Sequence, residues 1–265
     1  MKKYLVIGNP ISHSQSPQLH NHWIKEYNLD AIYEKKKLDE TDIEKIISDL
    51  KSGKIDGINV TIPFKKTVIP FLEELTPEAA ETQSVNTIYN KKNKIIGNNT
   101  DIGGFEYAIK HIKYNVKGKT ILILGAGGVT PSIVVSLKKM GAYKIILSNR
   151  TKEKAEKLKK IYPYINIINW GDISDFDMII NATSLGLNKG EKIELNYKDI
   201  GSNKLFYDVI YNPAITNFLS RAKEFGNQIE NGKGMFVYQA KLAFEIWHGV
   251  KPSINKKVFE LLNND

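Results

Sequence analysis

A buried strand that ends in a glycine-rich turn is predicted by residues 120–129, TILILGAGGV. The run before the turn contains only threonine, isoleucine and leucine, which is typical of a strand covered on both faces. A helix is predicted at about 128–140 and a second strand at 144–148, so the two strands lie parallel. Further strands at 178–181 and 205–209 continue the series. The sequence therefore predicts an open parallel sheet flanked by helices, the architecture of nucleotide-binding domains.

The chain before this unit has the same alternation of strands and helices. A helix is predicted at 41–51, because isoleucine and leucine recur there at helical spacing and Thr41 and Glu44 have the spacing of a capping box. A buried strand is predicted at 55–62 and a short helix, with proline in its first turn, at 77–82. The whole chain is therefore predicted to be α/β, with parallel sheets.

Glycine pairs mark the two places where the pattern changes, near residue 103 and near residue 233. We expect an amino-terminal α/β domain at 1–102, completed by 236–265, and a Rossmann-type domain at 103–235. The helices after the second glycine pair carry apolar faces, and we expect them to pack back on the first domain.

Composition limits the classes of function. Hydrophobic residues make up 42% of the 265 and charged residues 25%, which is ordinary for a globular protein. The formal charge of +9 favours anionic ligands, but the lysines are dispersed and form no nucleic-acid-binding pattern, so no nucleic-acid partner is expected. The sequence contains no run of about 18 apolar residues, so no membrane partner is expected. The absence of cysteine excludes thiol catalysis and is consistent with a cytoplasmic location.

The glycine-rich turn is a candidate cofactor loop. Glycines at such a turn let the backbone approach a pyrophosphate, which the amino terminus of the next helix attracts. The candidate binding residues are consecutive: Gly125, Ala126, Gly127, Gly128 and Val129. The third glycine of the common pattern would fall at Thr130, so the loop alone also fits a structural turn.

The end of the following strand predicts which cofactor the loop would bind. A site for NAD usually has an acidic residue there, whereas a site for the 2′-phosphate of NADP needs a cation and hydroxyl donors. Asn149, Arg150 and Thr151 occupy the position, and no acidic residue does. The sequence therefore predicts NADP in preference to NAD.

Polar residues of the amino-terminal domain form a candidate substrate site. Lys65 follows the predicted strand at 55–62 and a proline-marked bend, where its side chain can face a cleft. Ser14 and Ser16 follow the first strand, although Ser16 before Pro17 also has the arrangement of a helix cap. Taken alone, Asn86 and Asp101 would be interpreted as turn and cap residues. They are candidates for the site only together with the other polar residues. Hydroxyls, amides, a lysine and a carboxylate together would suit a polyhydroxylated acid.

Nine segments resemble the shikimate dehydrogenase family and follow its order along nearly the full chain. They are residues 9–17, 59–65, 84–87, 99–103, 125–128, 149–151, 181–186, 208–213 and 232–240. Two positions depart from the family pattern: Thr130-Pro131 stands where a basic residue is frequent, and Ser84 where alanine is common.

The resemblance implies a substrate domain, an NADP domain and an active cleft between them. It implies NADPH-dependent reversible reduction of 3-dehydroshikimate to shikimate, in aromatic amino acid (chorismate) biosynthesis. Lys65 and Asp101 would flank the reacting oxygen, and either could be the formal acid and base. The implied substrate-binding residues are Ser14, Ser16, Asn59, Thr61, Lys65, Asn86, Asp101, Tyr211 and Gln239. The implied nicotinamide neighbours are Thr183, Val209, Gly232 and Met235.

Other chemistries fit the sequence less well. The histidines lack metal-ligand spacing, no serine lies in a nucleophile-elbow motif, and the Tyr33/Lys37 pair precedes the cofactor loop instead of following it. Two alternatives stay open: a quinate/shikimate dehydrogenase with relaxed substrate or cofactor choice, and a non-catalytic NADP-binding regulator. The protein is expected to be a monomer or a homodimer.

Overall fold

The computed structural model describes residues 1–263 and divides the chain into two compact units. The first unit is Met1–Gly104 together with the chain from Val237, and the second is Phe105–Phe236. No helix among the described residues is long and apolar enough to cross a membrane.

The first unit contains a six-stranded mixed sheet. Its strands are β1 (Lys2–Gly8), β2 (Ala31–Lys37), β3 (Gly57–Val60), β4 (Glu74–Leu75), β5 (Thr87–Lys91) and β6 (Lys94–Asn98). Their order is β2-β1-β3-β5-β6-β4, and β1 is parallel to both β2 and β3. A fully parallel sheet was predicted, and that prediction is wrong for β5, which is antiparallel to β3 and β6. The β5–β6 hairpin turns at Lys92 and Asn93, both at positive φ, and lacks the usual asparagine–glycine pair.

The helices of the first unit begin with α1 (Ser16–Glu26), α2 (Ile43–Lys51) and α3 (Pro77–Thr82). The apolar residues predicted to form one face of α2 are all buried. Its predicted capping box lies elsewhere: Asp39 and Asp42 form the box, on a short 3-10 turn that precedes α2. The turn adds a helical segment ahead of the apolar periodicity, so the cap falls earlier than the spacing suggested.

The second unit contains a parallel sheet in the order β12-β11-β10-β7-β8-β9. Its strands are β7 (Thr120–Leu124), β8 (Lys144–Ser148), β9 (Ile165–Ile168), β10 (Met178–Asn181), β11 (Leu205–Asp208) and β12 (Gln228–Glu230). Its helices are α5 (Thr130–Lys139), α6 (Lys152–Ile161), α7 (Tyr197–Ile200) and α8 (Asn217–Glu224). The helix α4 (Asp101–His111) leads into this unit, and α9 (Lys233–His248) and α10 (Lys256–Glu260) follow it.

The strand order of the second unit reverses between β7 and β10. The chain runs from β7 outward through β8 and β9, then returns to the other side of β7. Ligands of such sheets bind where the order reverses, at the carboxyl ends of the strands. The predicted Rossmann architecture of this unit is confirmed, and the loops after β7, β8, β10 and β11 are its candidate ligand loops.

The carboxy-terminal helices pack on the first unit, as predicted. Phe244 of α9 meets Trp23 of α1 edge to face, with ring centroids 5.5 Å apart. The indole nitrogen of Trp247 donates to the carbonyl of Ile88 at 3.3 Å. The chain at Leu261 is also attached, because Gln18 donates to the carbonyl of Leu261 at 2.7 Å.

A buried histidine lies within this aromatic cluster. The imidazole of His20 stacks on the ring of Tyr33, with centroids 4.1 Å apart and planes 7° apart. His20 is 1% exposed, and neither ring nitrogen has a hydrogen-bond partner. Burial lowers the pKa of His20 to about 3, and the nearby His248 adds to this effect. Burial likewise lowers the pKa of His248 to about 4.

The buried His20 predicts acid sensitivity. Because the folded protein holds His20 neutral, the unfolded chain binds more protons once the pH falls below the unfolded pKa of about 6.5. The free energy of unfolding should then decrease with falling pH, with His20 contributing up to about 1.4 kcal/mol per pH unit. His20→Phe, which keeps an aromatic ring in the stack, should remove that contribution when urea unfolding is measured between pH 6 and pH 4 (roughly the window between the two pKa values).

The slope of the free energy of unfolding against pH is the quantity to compare, because the substitution also changes packing. His111→Gln, at an exposed position, is the matched control and should keep the wild-type slope. An unchanged slope in His20→Phe would show that His20 is not held neutral in the folded protein.

Candidate active site

A buried ion pair lies at the centre of the polar residues in the first unit. The Lys65 ammonium donates to Oδ2 of Asp101 at 2.5 Å, and the two side chains are 14% and 7% exposed. Lys65 is in the turn after β3, and Asp101 is the first residue of α4. Two residues distant in sequence therefore meet because a strand end and a helix start face each other.

The backbone of Asp101 is held at the amino terminus of α4. Oδ1 of Asn99 accepts from the backbone N–H of Asp101 at 3.0 Å and of Ile102 at 3.4 Å. Asn99, not Asp101, is therefore the residue that caps the helix. Asp101 stands in the first turn, where the helix dipole favours a carboxylate.

Asn86 hydrogen-bonds the second carboxylate oxygen of Asp101. Its amide nitrogen donates to Oδ1 of Asp101 at 2.9 Å and lies 3.4 Å from Oε1 of Gln239 on α9. Its amide oxygen accepts from the backbone N–H of Thr100 at 2.8 Å. The structure thus brings Lys65, Asn86, Asp101 and Gln239 into one hydrogen-bonded group.

Asn59 supports this group from behind. Its amide nitrogen donates to the backbone oxygen of Asn86 and to Oγ1 of Thr87, each at 3.0 Å. Its amide oxygen accepts from the hydroxyl of Tyr33 at 2.7 Å. With 6% of its surface exposed, Asn59 directs its polar atoms at the protein, so its geometry suits shaping the pocket.

Three hydroxyls are held near the ends of β1 and β3. Ser14 accepts from the backbone N–H of Ser16 at 3.3 Å, and the Thr61 N–H donates to the carbonyl of Ile7 at 2.9 Å. The capping explanation for Ser16 is wrong, because Gln15 is the cap residue of α1 and Ser16 is its first helical residue.

In the second unit, the glycine-rich turn is closed by Thr130. Gly125 has φ +106°, and a Cβ there would lie 2.9 Å from the Ala182 carbonyl carbon, so only glycine fits. The Thr130 hydroxyl donates to the carbonyl of Gly125 at 2.9 Å. Thr130 thus stabilises the turn in a position where the common pattern has a third glycine. A Cβ on Gly128 would meet open space, and Gly127 has room as well, so this side of the loop has space for a ligand.

Asn149 connects the glycine-rich turn to the end of β8. Its amide oxygen accepts from the backbone N–H of Ala126 at 2.8 Å, and its amide nitrogen donates to the carbonyl of Thr151 at 2.7 Å. Arg150 and Thr151 are both exposed. A 2′-phosphate and a pyrophosphate require donors of this kind: an exposed guanidinium beside a hydroxyl, on a loop that leads into a helix amino terminus. The residues present therefore fit NADP.

Asn181 and Asp208 organise the remaining two candidate loops. Oδ1 of Asn181 accepts from the N–H and the hydroxyl of Thr183, at 3.0 and 2.7 Å. Its amide nitrogen donates to Oδ1 of Asp208 at 3.0 Å, which also accepts from the N–H of Ile210 at 3.0 Å. Burial raises the pKa of Asp208 to about 6 although Thr216, Ile210 and Asn181 donate to it. These two residues were not predicted. Their position at the ends of adjacent buried strands was the available clue.

The loop after β11 contacts the chain just before α9. A Cβ on Gly232 would lie 2.0 Å from the carbonyl oxygen of Val209, so the close approach requires glycine. Met235 is 6% exposed, and Tyr211 stacks on Phe236 with centroids 4.5 Å apart. The structure therefore brings Val209 and Gly232 together, with Tyr211 on the same loop as Val209.

No group of three or more histidine, aspartate or glutamate side chains within residues 1–263 is arranged to hold a metal ion.

The fold and site define a two-domain α/β protein with a Rossmann-type second domain. Three family models match it: the shikimate dehydrogenase substrate binding domain over residues 6–88, shikimate / quinate 5-dehydrogenase over 106–211, and the shikimate 5'-dehydrogenase C-terminal domain over 232–256. The chain belongs to the shikimate dehydrogenase family.

Individual relatives agree along the full length. The chain is 56% identical to the shikimate dehydrogenase (NADP(+)) of Pelagibacter ubique, with 99% of each covered. Among solved structures, it is similar to shikimate dehydrogenase from Aquifex aeolicus, at 37% identity and TM-score 0.92, covering 100% of this chain and 98% of that one. It is also similar to shikimate 5-dehydrogenase from Thermus thermophilus in complex with NADP(H) and shikimate, at 27% identity and TM-score 0.91, covering 99% and 98%.

Proposed function

We propose that the protein catalyses the reversible reduction of 3-dehydroshikimate to shikimate with NADPH, a step of aromatic amino acid biosynthesis. The observation that carries this proposal is the buried Lys65–Asp101 pair, held within hydroxyl and amide groups of the first unit. The full-length similarity to NADP-dependent relatives supports the reaction class, and the Thermus thermophilus complex with NADP(H) and shikimate supports the two ligands.

Lys65 carries the proton chemistry in this proposal. When bound, NADPH supplies the hydride, and the substrate oxygen that gains negative charge needs a proton or a cation beside it. An ammonium has three N–H donors, and one of them is committed to Asp101. The remaining donors of Lys65 are available to the substrate oxygen, and Asp101 holds the ammonium in one orientation.

Neutral donors and acceptors surround this pair. Ser14, Ser16 and Thr61 supply hydroxyls, and Asn86 and Gln239 supply amides. We assign them to the substrate carboxylate and ring hydroxyls, with Asn59 shaping the pocket, and we assign Tyr211 to substrate binding as well.

NADP is assigned to the carboxyl edge of the parallel sheet. The turn at 125–129 and the amino terminus of α5 suit the pyrophosphate, because backbone N–H groups and the helix dipole attract anions. Asn149, Arg150 and Thr151 suit the phosphorylated ribose. Thr183, Val209, Gly232 and Met235 line the nicotinamide end.

The first test is direct measurement of the reaction. Mixing the protein with NADP and shikimate should increase the absorbance of NADPH, and replacing shikimate by quinate, or NADP by NAD, should give a much lower kcat/KM. Comparable kcat/KM values for quinate would favour the relaxed quinate/shikimate enzyme. NADP binding without turnover on either acid would contradict the proposal and indicate a non-catalytic regulator.

Replacing Lys65 should affect the transition state more than binding. Charge develops on the substrate oxygen only as the hydride moves, so Lys65→Ala should lower kcat by ~10² to 10⁴ while KM for shikimate changes a few-fold. Steady-state kinetics with shikimate and NADP measure both constants. Asp101→Asn should also slow turnover.

Lys66→Ala is the matched control for Lys65→Ala, because Lys66 is the next residue and is exposed. It should change kcat by no more than about twofold, as expected for a surface substitution. A folded Lys65→Ala protein with normal kcat would remove Lys65 from the mechanism.

Arg150 should determine the choice of cofactor. A guanidinium can pair bidentately with a 2′-phosphate that NAD lacks, so Arg150→Ala should raise KM for NADP by roughly tenfold or more, matching ~1.5 to 3 kcal/mol for a charged hydrogen bond. KM for NAD should stay nearly constant. Arg221→Ala, which removes the other arginine of the sequence, is the control. Equal losses for NADP and NAD would contradict this assignment.

A further inference from the structure

A buried tyrosine hydroxyl supports the proposed substrate pocket from behind. Tyr33 lies on β2 and is 1% exposed. Its hydroxyl donates to the amide oxygen of Asn59 at 2.7 Å. His20 stacks on the face of its ring and limits where the hydroxyl can lie.

The direction of these hydrogen bonds is fixed. The amide nitrogen of Asn59 faces the backbone oxygen of Asn86, which can only accept, so the amide oxygen must face Tyr33. Tyr33 must then donate to Asn59. Burial raises the pKa of Tyr33, so the phenol keeps the proton that this arrangement needs.

The same reasoning extends to the ion pair. Thr87 accepts from Asn59 at 3.0 Å, and its own proton has two acceptors within reach: the amide oxygen of Asn86 at 3.1 Å and the Thr100 hydroxyl at 3.3 Å. The amide oxygen of Asn86 is identified independently, because the backbone N–H of Thr100 donates to it at 2.8 Å. The amide nitrogen of Asn86 therefore faces the Asp101 carboxylate at 2.9 Å.

We propose that Tyr33 and Thr87 are positioning residues of the active site, an inference that rests on the proposed function. The Tyr33 hydroxyl heads one branch of hydrogen bonds, which runs through Asn59, Thr87 and Asn86 to Asp101. Thr87 belongs to this branch. Loss of the Tyr33 hydroxyl would leave the buried oxygen of Asn59 without a donor, and a buried unsatisfied group is relieved by movement of its neighbours. Neither Tyr33 nor Thr87 is assigned a contact with substrate.

Tyr33→Phe should separate positioning from packing, because it removes one hydroxyl and keeps the ring. We expect kcat/KM for shikimate to fall roughly tenfold or more, the usual effect of leaving one buried polar partner unsatisfied. Binding of NADP, measured by isothermal titration, should stay within about twofold, as for distant independent sites.

Tyr4→Phe is the matched control. Tyr4 lies opposite Tyr33 in the β1–β2 register and is equally buried at 1% exposure. Both variants lose a hydroxyl from neighbouring buried tyrosines, but only Tyr33 contacts Asn59. Equal changes of kcat/KM in the two variants, or a fully active Tyr33→Phe protein, would overturn the inference.

Thr87 gives a second test that does not depend on Tyr33 variants folding. Thr87→Val keeps the shape and removes the hydroxyl, whereas Thr87→Ser keeps the hydroxyl. Since Thr87 is on the branch to Asp101, Thr87→Val should lower kcat and leave KM for shikimate nearly unchanged, and Thr87→Ser should restore kcat. A normal kcat in Thr87→Val would overturn this part of the inference.

Side-chain amide exchange measured by NMR tests the network without any substrate. The NH₂ groups of Asn59 and Asn86 should exchange slowly in the wild type and Tyr4→Phe, and faster in Tyr33→Phe and Thr87→Val. A wild type inactive on shikimate would contradict the proposed function alone, because this exchange does not involve turnover. Unchanged exchange in Tyr33→Phe would overturn the positioning inference, whatever the activity.

Discussion

The Lys65–Asp101 pair, largely removed from water, organises the polar side chains that surround it in the first unit. An ammonium and a carboxylate removed from water each carry a desolvation penalty of several kcal/mol, which their mutual attraction offsets only when the remaining lone pairs and protons are satisfied. Asp101 meets that condition through Lys65 on one oxygen and Asn86 on the other. Asn86 is in turn held by Thr100 and by the residues behind it. Holding the pair in this geometry thus requires asparagine and threonine side chains where apolar ones would otherwise complete the core.

The second unit uses a similar arrangement without a cation. Asn181 ends β10 and Asp208 ends β11, and together they hold the backbone of the two loops that follow. All the donors to Asp208 are neutral, and its side chain is buried, which is why its pKa rises to about 6. In both units, then, polar side chains at the carboxyl ends of buried strands orient the loops in which the candidate ligand residues lie.

The α/β class and the parallel sheet of the second unit were predictable because hydrophobic periodicity encodes both. The edge strands β9 and β12 were not, because they are only partly buried and show no continuous apolar run, whereas β10 and β11 are short but buried throughout. The hairpin between β5 and β6 was missed because Lys92 adopts a positive φ that its residue type does not suggest. The cap of α2 shifted because a 3-10 turn precedes the helix.

The structure brings Lys65 and Asp101 together, but the contacts that hold this pair could not be predicted. Lys65 and Asp101 were nominated together by family resemblance, but sequence could not show that Asn99 caps the helix or that Ser16 is inside α1. Other contacts behind the site join residues far apart in the chain, as the Tyr33–Asn59 hydrogen bond does. The same connections explain how the proposed pocket would select a substrate. The Lys65–Asp101 pair has no net charge, so recognition of an acid rests on neutral hydroxyls and amides whose hydrogen-bond directions are set by the protein. A site of that kind discriminates strongly against a molecule that lacks a matching hydroxyl, because buried polar groups would then be left unpaired. Rigid supporting residues are therefore part of specificity, even where they do not touch the substrate.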